Sequence, residues 1–216
     1  MSEIHGIWGT DGANIWAVGA HWGDTIAARW DGVRWQDQGN QRPFPYGDIR
    51  DIWGWGADAV WVYQDNRTAQ WDGTGWHWPA HHPEHPRESV DLTAMWGASP
   101  ADVWLVGRRG DIFHWNGAAW QLHTQDQLYA GLVIGGAAAD DVYVAGMADL
   151  PDQGLSALVR RWDGNAWSDA GASAPLDQVN YYGGWATDSA DIWLTGWKVH
   201  GADAQGRLLR WDGAQW

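Results

Sequence analysis

Four tryptophans stand outside the regular pattern of this chain; Trp55 and Trp78 read as packing or rim residues, whereas Trp22 and Trp197 each have polar company. Trp22 lies between His21 and Asp24, and Trp197 is followed by Lys198, His200 and Asp203. An indole flanked by imidazole and carboxylate groups suits recognition of a sugar. The C–H face of a pyranose packs on the ring while its hydroxyls take directional hydrogen bonds. The candidate ligand-binding residues are therefore Trp22, His21, Asp24, Trp197, His200 and Asp203. The competing reading of the same rings is cover for apolar surface or contact with another protein chain.

Other groups capable of chemistry point less far. His81, His82, Glu84 and His85 could ligate a divalent ion, but their spacing fits no standard site. Pro79, Pro83 and Pro86 hold that segment extended, so a surface loop without metal is expected, and no cofactor. Glycoside hydrolysis needs two carboxylates facing one pocket. Glutamate occurs only at Glu3, Glu84 and Glu88, and Asp48, Asp51 and Asp91 have no glycosidase-like surroundings. With no Ser/His/Asp order or phosphate loop, a non-enzymatic chain is expected.

The elements that must carry these residues are written in one phrase used five times. It runs Trp30-Asp31-Gly32-Val33-Arg34-Trp35, then returns from Trp71 to Trp76, Trp115 to Trp120, Trp162 to Trp167 and Trp211 to Trp216, at intervals of 41 to 49 residues. Aligned on this phrase, each repeat has four aromatic positions. The first holds Trp8, Trp53, Trp96, Gly135 and Trp185. The second, eight residues on in every copy, holds Trp16, Trp61, Trp104, Tyr143 and Trp193. The phrase supplies the third and fourth positions, and together the four account for 18 of the 22 tryptophans. Each position sits in a short run of β-formers, such as Val103-Trp104-Leu105-Val106. We name the strands A to D. Asp-Gly or Asn-Gly between C and D signals a tight hairpin, since both residues tolerate positive φ. Asn14, Asp102, Asp141 and Asp191, two residues before the second aromatic, are expected to bond local backbone and close the A–B turn.

A period this long with strand-like spacing predicts an all-β, five-bladed propeller of four-stranded antiparallel blades. The repeats fall at about 3–48, 49–91, 92–131, 132–180 and 181–216, one domain in all. Tryptophans, each hiding roughly 150–250 Å², are expected to fill the wedges between blades. The chain stops at Trp216, where strand D of the fifth repeat would begin. The last blade is thus expected to lack its outer strand, and its open edge is a candidate contact for a homo-oligomer.

Spacing also separates the two ends of each blade. The A-to-B and C-to-D intervals never vary, whereas B-to-C runs 14, 10, 11, 19 and 18. Variation on a rigid scaffold is where binding usually sits, so the B–C and D–A face is the expected working face. Trp22 and Trp197 fall there, in the B–C loops of repeats one and five, which are neighbours if the ring closes. Phe44 and Tyr46 add aromatics from the first D–A loop, and Met147 to Ala157 reads as a solvated excursion.

Thirteen basic residues against 27 acidic ones give a net charge of −14, which repels phosphate backbones and anionic lipid. Nucleic acid is an unexpected partner, and so is membrane insertion, since no stretch reaches the roughly 20 apolar residues of a span. The first residues show no signal peptide, which leaves a cytoplasmic or an exported, cell-surface setting open. Cysteine is absent.

The Trp-Asp-Gly-x-x-Trp phrase, preceded by Asp102-Val103-Trp104-Leu105-Val106-Gly107, resembles the Trp-rich β-propeller repeats of bacterial proteins, akin to Asp-box (BNR-like) turns. In architecture the chain is similar to tachylectin-type five-bladed lectins, which implies sugar binding between blades; their own sequence motif is not present. The expected function is a non-enzymatic, lectin-like propeller, with a protein-interaction scaffold as the alternative. Glycans or a protein partner follow as its ligands.

Overall fold

The computed structural model describes residues 2–39, 47–64, 67–78, 91–108, 110–124, 128–150, 154–170, 174–175, 179–188, 191–200 and 203–216. Those residues form twenty strands and no helix, so none is long and apolar enough to cross a membrane. Blade 1 is β1 (Ser2–Asp11), β2 (Asn14–His21), β3 (Asp24–Trp30) and β4 (Trp35–Asp37). Blade 2 is β5 (Ile49–Gly56), β6 (Ala59–Gln64), β7 (Arg67–Trp71) and β8 (Trp76–His77). Blade 3 is β9 (Leu92–Ser99), β10 (Asp102–Gly107), β11 (Ile112–Trp115) and β12 (Trp120–Thr124). Blade 4 is β13 (Leu128–Ala138), β14 (Asp141–Leu150), β15 (Gly154–Trp162) and β16 (Trp167–Asp169), with the short β17 (Ala174–Pro175) pairing on β15. Blade 5 has three strands, β18 (Val179–Asp188), β19 (Asp191–His200) and β20 (Asp203–Trp211). Every blade is an antiparallel meander, and the whole is a five-bladed propeller.

The constant spacings are cross-strand pairs. Trp8 lies opposite Trp16, Trp53 opposite Trp61, Trp96 opposite Trp104, Gly135 opposite Tyr143 and Trp185 opposite Trp193. The five-residue interval places Trp30 opposite Trp35, Trp71 opposite Trp76 and Trp162 opposite Trp167. Between them the turn closes on its first residue: Asp31 Oδ1 accepts from the amides of Val33 and Arg34, both at 2.9 Å. Asp72, Asn116, Asp163 and Asp212 repeat the arrangement. Only the glycine takes a left-handed backbone, as at Gly73 with φ of 93°. The Asp contributes its carboxylate as an acceptor. The amides of Thr74 and Gly75, with the Thr74 hydroxyl, hold the Asp72 carboxyl down at about 2.

Blades meet through one repeated rule. The second-position aromatic of a blade inserts between the Trp pair of the next. Trp16 packs edge-on against Trp71 and Trp76, with centroids 5.3 and 5.4 Å away. Trp61 meets Trp115 and Trp120, and Trp104 meets Trp162 and Trp167. Tyr143 takes the same place, in a cluster with Trp211 and Trp216. Aliphatic residues complete each wedge; Ile49 and Ile52 of β5, for example, share a cluster with Trp16 and Val18 of β2. Four such clusters join blades 1–2, 2–3, 3–4 and 4–5.

Two expectations are corrected here. First, the variable B-to-C intervals are not irregular loops but hairpins of different height. From the rung of the third-position Trp, β2–β3 runs seven pairs to His21 opposite Asp24, and β10–β11 only four. The β14–β15 and β19–β20 hairpins run nine pairs each. At about 3.4 Å per residue, the tallest rise roughly 17 Å beyond the shortest. Second, Met147 to Leu150 and Gly154 to Ala157 are therefore paired strand, not a solvated excursion. Among the described residues, no wedge cluster joins blade 5 to blade 1.

Candidate functional site

A two-residue turn, Trp22-Gly23, joins β2 to β3 where His21 pairs with Asp24. Such hairpins need positive φ at both central residues. Gly23 adopts 92° freely, but Trp22 has φ of 53° and is the only non-glycine residue described with a positive value. A bulky side chain in that region is strained by about 1–2 kcal/mol. The conformation lifts the indole clear of the blade: Trp22 is 80% exposed. His21 is exposed too, its ring edge-on to the indole at 6.3 Å, with Nδ1 hydrogen-bonded to the Ser2 hydroxyl. Asp24, across the turn, is exposed. The turn is braced from below. The Gly47 amide donates to the Gly23 carbonyl at 3.1 Å, and the Thr25 hydroxyl to the Gly47 carbonyl at 2.9 Å. The result is a fixed, solvent-facing indole with an imidazole and a carboxylate beside it.

The second half of the expected site divides differently. Trp197 is not in a loop: it lies within β19, opposite Asn180 on one side and Gly206 on the other. His200 and Asp203 pair at the tip of the β19–β20 hairpin. The side chains of all three lie outside the described residues, as do those of Lys198 and the stretch from Met147 to Leu150. Phe44, Tyr46, His81, His82, Glu84 and His85 lie outside them altogether. Trp55 and Trp78 are packing residues: the Trp55 indole donates to the Gly97 carbonyl at 3.1 Å, and Arg67 lies over Trp78 at 5.4 Å.

The short polar residues before the second aromatics do something the sequence reading missed. Asn14 and Asp191 do reach across their A–B turns, to the hydroxyls of Thr10 at 3.0 Å and Thr187 at 3.2 Å, but the group's larger part is to cap the wedge. Asp102 Oδ1 accepts from Trp104 Nε1 at 2.9 Å and meets His114 Nε2 at 3.1 Å, while His114 stacks on Trp104. Asp191 accepts from Trp193 Nε1 and Arg210, and Arg210 lies over the Trp193 ring. Asp141 takes the Tyr143 hydroxyl and Arg161, and Asn14 takes Arg29. The signal was visible as Arg29, His114, Arg161 and Arg210, each one residue before the Trp that opens the phrase. Blade 2 lacks the cap, Ala59 standing in its place, and Trp61 Nε1 is buried with no partner among the described residues; so is Trp16 Nε1 of blade 1, where Asn14 bonds Arg29 and not the indole. The A–B turns are also closed from the end of strand A, as where Asp11 Oδ1 accepts from the Ala13 amide at 2.7 Å.

A second polar cluster lies at the starts of the A strands. His5 contacts Asp48 at 2.9 Å, Arg50 contacts Asp48 at 3.3 Å, and Arg108 contacts Asp91 at 3.3 Å. Asp51 is pushed up to about 6 by burial, against the two amides that bond it. One oxygen accepts from Ile52 and the other from Met95 of blade 3, so Asp51 ties β5 to β9. Burial and the Asp51 carboxylate also push the Tyr63 hydroxyl well up. The described residues contain no group of three metal-ligating side chains.

No family model and no curated protein matches the chain. Solved structures do. YCF48 from Cyanidioschyzon merolae is 15% identical with a TM-score of 0.57, the match covering 96% of this chain and 71% of that one. A structure of YCF48 bound to D1 peptide is 13% identical with a TM-score of 0.59, covering 96% and 69%. At these identities the likeness is one of propeller fold.

Proposed function

We propose that the chain is a non-enzymatic binding module that takes carbohydrate at the Trp22 turn. The observation that carries this is the positive φ of a tryptophan whose indole stands in solvent. Strain of this kind persists where function holds it, and Gly or Asn would form the same turn without strain. An indole face with His21 and Asp24 at its margin offers stacking for the C–H face of a pyranose and hydrogen-bond partners for its hydroxyls. A single turn gives one modest site, so strong attachment would come from several chains or several sugars.

A protein partner is the second reading. The net charge of −14 suits a basic segment, and a similar propeller, YCF48, is described as bound to D1 peptide. The test is a glycan array with the labelled chain, read with and without free-sugar competition, for wild type and Trp22→Ala. Competable binding to related glycans, lost in Trp22→Ala, supports the carbohydrate reading. A blank array overturns it, and partner capture by wild type but not by Trp22→Ala then supports the protein reading.

A further inference from the structure

Among the described residues, blades 1 and 5 each present one half of the wedge without the other. On the side of a blade that meets its predecessor stand two aliphatic residues of strand A and the Trp pair: Ile49, Ile52, Trp71 and Trp76 in blade 2, all buried. The same positions in blade 1 are Ile4, Ile7, Trp30 and Trp35. Ile7 is 71% exposed where Ile52 is 3%, and Ile4 and Trp35 are exposed as well. On the side that meets its successor stand the second-position aromatic, the residue two after it, and a strand-C residue three before the phrase. In blade 3 these are Trp104, Val106 and Ile112, all fully buried. In blade 5 they are Trp193, Thr195 and Leu208. Here Thr195 is exposed, Leu208 is 59% exposed, and the neighbouring Trp185 is 58% exposed.

The two surfaces are the two partners of one interface that the molecule already builds four times. We propose that they mate between copies: blade 5 of one chain packs on blade 1 of a second, Trp193 entering between Trp30 and Trp35. Isolated exposed hydrophobics on a soluble surface need no explanation. Here, though, Ile4, Ile7, Trp35 and Leu208 all fall at positions that the rule buries elsewhere; Trp22 and Val33, in turns, do not. The interface is heterologous, since the two surfaces differ, and so leads to a ring or an open chain of copies. It uses sheet faces, and the free edge of the last blade plays no part in it. It stands independently of the Trp22 site.

The test is molar mass by sedimentation across the micromolar to millimolar range, at salt that screens the net charge of −14. Ile7→Arg spoils only the blade 1 face, and Leu208→Arg only the blade 5 face. Both residues are exposed within one chain, so both variants fold, which circular dichroism checks. Wild type is expected to at least double in mass with concentration, and each variant alone to stay monomeric. An equimolar mixture of the two variants keeps one intact pair of faces and is expected to stop at the dimer. A wild type that stays monomeric throughout overturns the proposal in favour of closure within one chain or no contact. So does a variant that still assembles, a mixture that stays monomeric, or one that grows past the dimer.

Discussion

The wedge rule makes one residue type at one repeat position carry very different energies. Trp104 and Trp193 occupy the same rung of their blades, and both donate to an Asp two residues earlier at 2.9 Å. Trp104 is fully buried, touching Trp162 and Trp167 at 5.5 Å and stacked on His114 at 3.9 Å. Truncating such a ring to Ala costs about 3–5 kcal/mol, through lost transfer energy and the cavity left behind. Each lost aromatic pair, worth about 0.5–1.5 kcal/mol beyond area, places it towards the upper end. Trp193 is half-buried, and its recorded partners are Arg210 at 5.3 Å and Asp191. Its loss costs a cation–π contact of about 0.5–1 kcal/mol and part of one ring's burial, about 1–2 kcal/mol in all. The expected gap between Trp104→Ala and Trp193→Ala is thus about 2–3 kcal/mol. Urea unfolding followed by far-ultraviolet circular dichroism reads it, at protein concentrations low enough to keep copies apart. Equal losses in the two variants would show that Trp193 has a filled wedge within its own chain, and the account of the open ends would be wrong.

Further expectations follow from the turns and caps. Trp22→Gly should raise stability by about 1 kcal/mol by relieving the left-handed strain while abolishing ligand binding, measured by thermal melts alongside the array; a loss of stability would show that the indole packs. Ala59→Asp should supply Trp61 Nε1 with the missing acceptor and add about 0.5–1 kcal/mol, read as a higher melting temperature. Gly73→Ala places a Cβ 2.8 Å from that of Asp58 at φ of 93°, so it should cost upwards of about 1 kcal/mol in the same urea titration. Asp51 takes up its proton at about 6 when folded, against 3.8 as its ordinary value. The folded chain therefore holds the extra proton between those values, and this group makes the protein more stable as pH falls from 6 towards 4. Asp51→Asn should remove that slope, about 3 kcal/mol across the window by linkage, and an unchanged slope in urea titrations at the two pH values would refute the assignment.

The fold was legible because its strongest signals are local. Eight residues from Trp96 to Trp104 and five from Trp30 to Trp35 are distances across a hairpin, and a hairpin is specified by its own few residues. The three-stranded last blade was legible from the fifth phrase, which occupies the last six residues, Trp211 to Trp216. What was not legible depends on partners far away in the chain. The caps pair Asp102 with His114 and Asp191 with Arg210, across strands whose alignment only the register reveals. Met147 to Ala157 was misread because its polar and glycine residues suit a loop, whereas pairing along nine rungs of β14–β15 outweighs their weak strand preference. Of the site, Trp22 was conspicuous as a ring out of register, but its left-handed backbone was not readable from its type.

Because each wedge draws only on adjoining blades, cooperativity in this chain runs along a line. Blade 3 is gripped from both sides; blades 1 and 5 are gripped from one. Amide hydrogens at the centre, in β9 and β10, would open only with global unfolding. Those of β1 and β20 would exchange through fraying of a single terminal blade, giving a gradient of protection from the middle of the arc to its two ends.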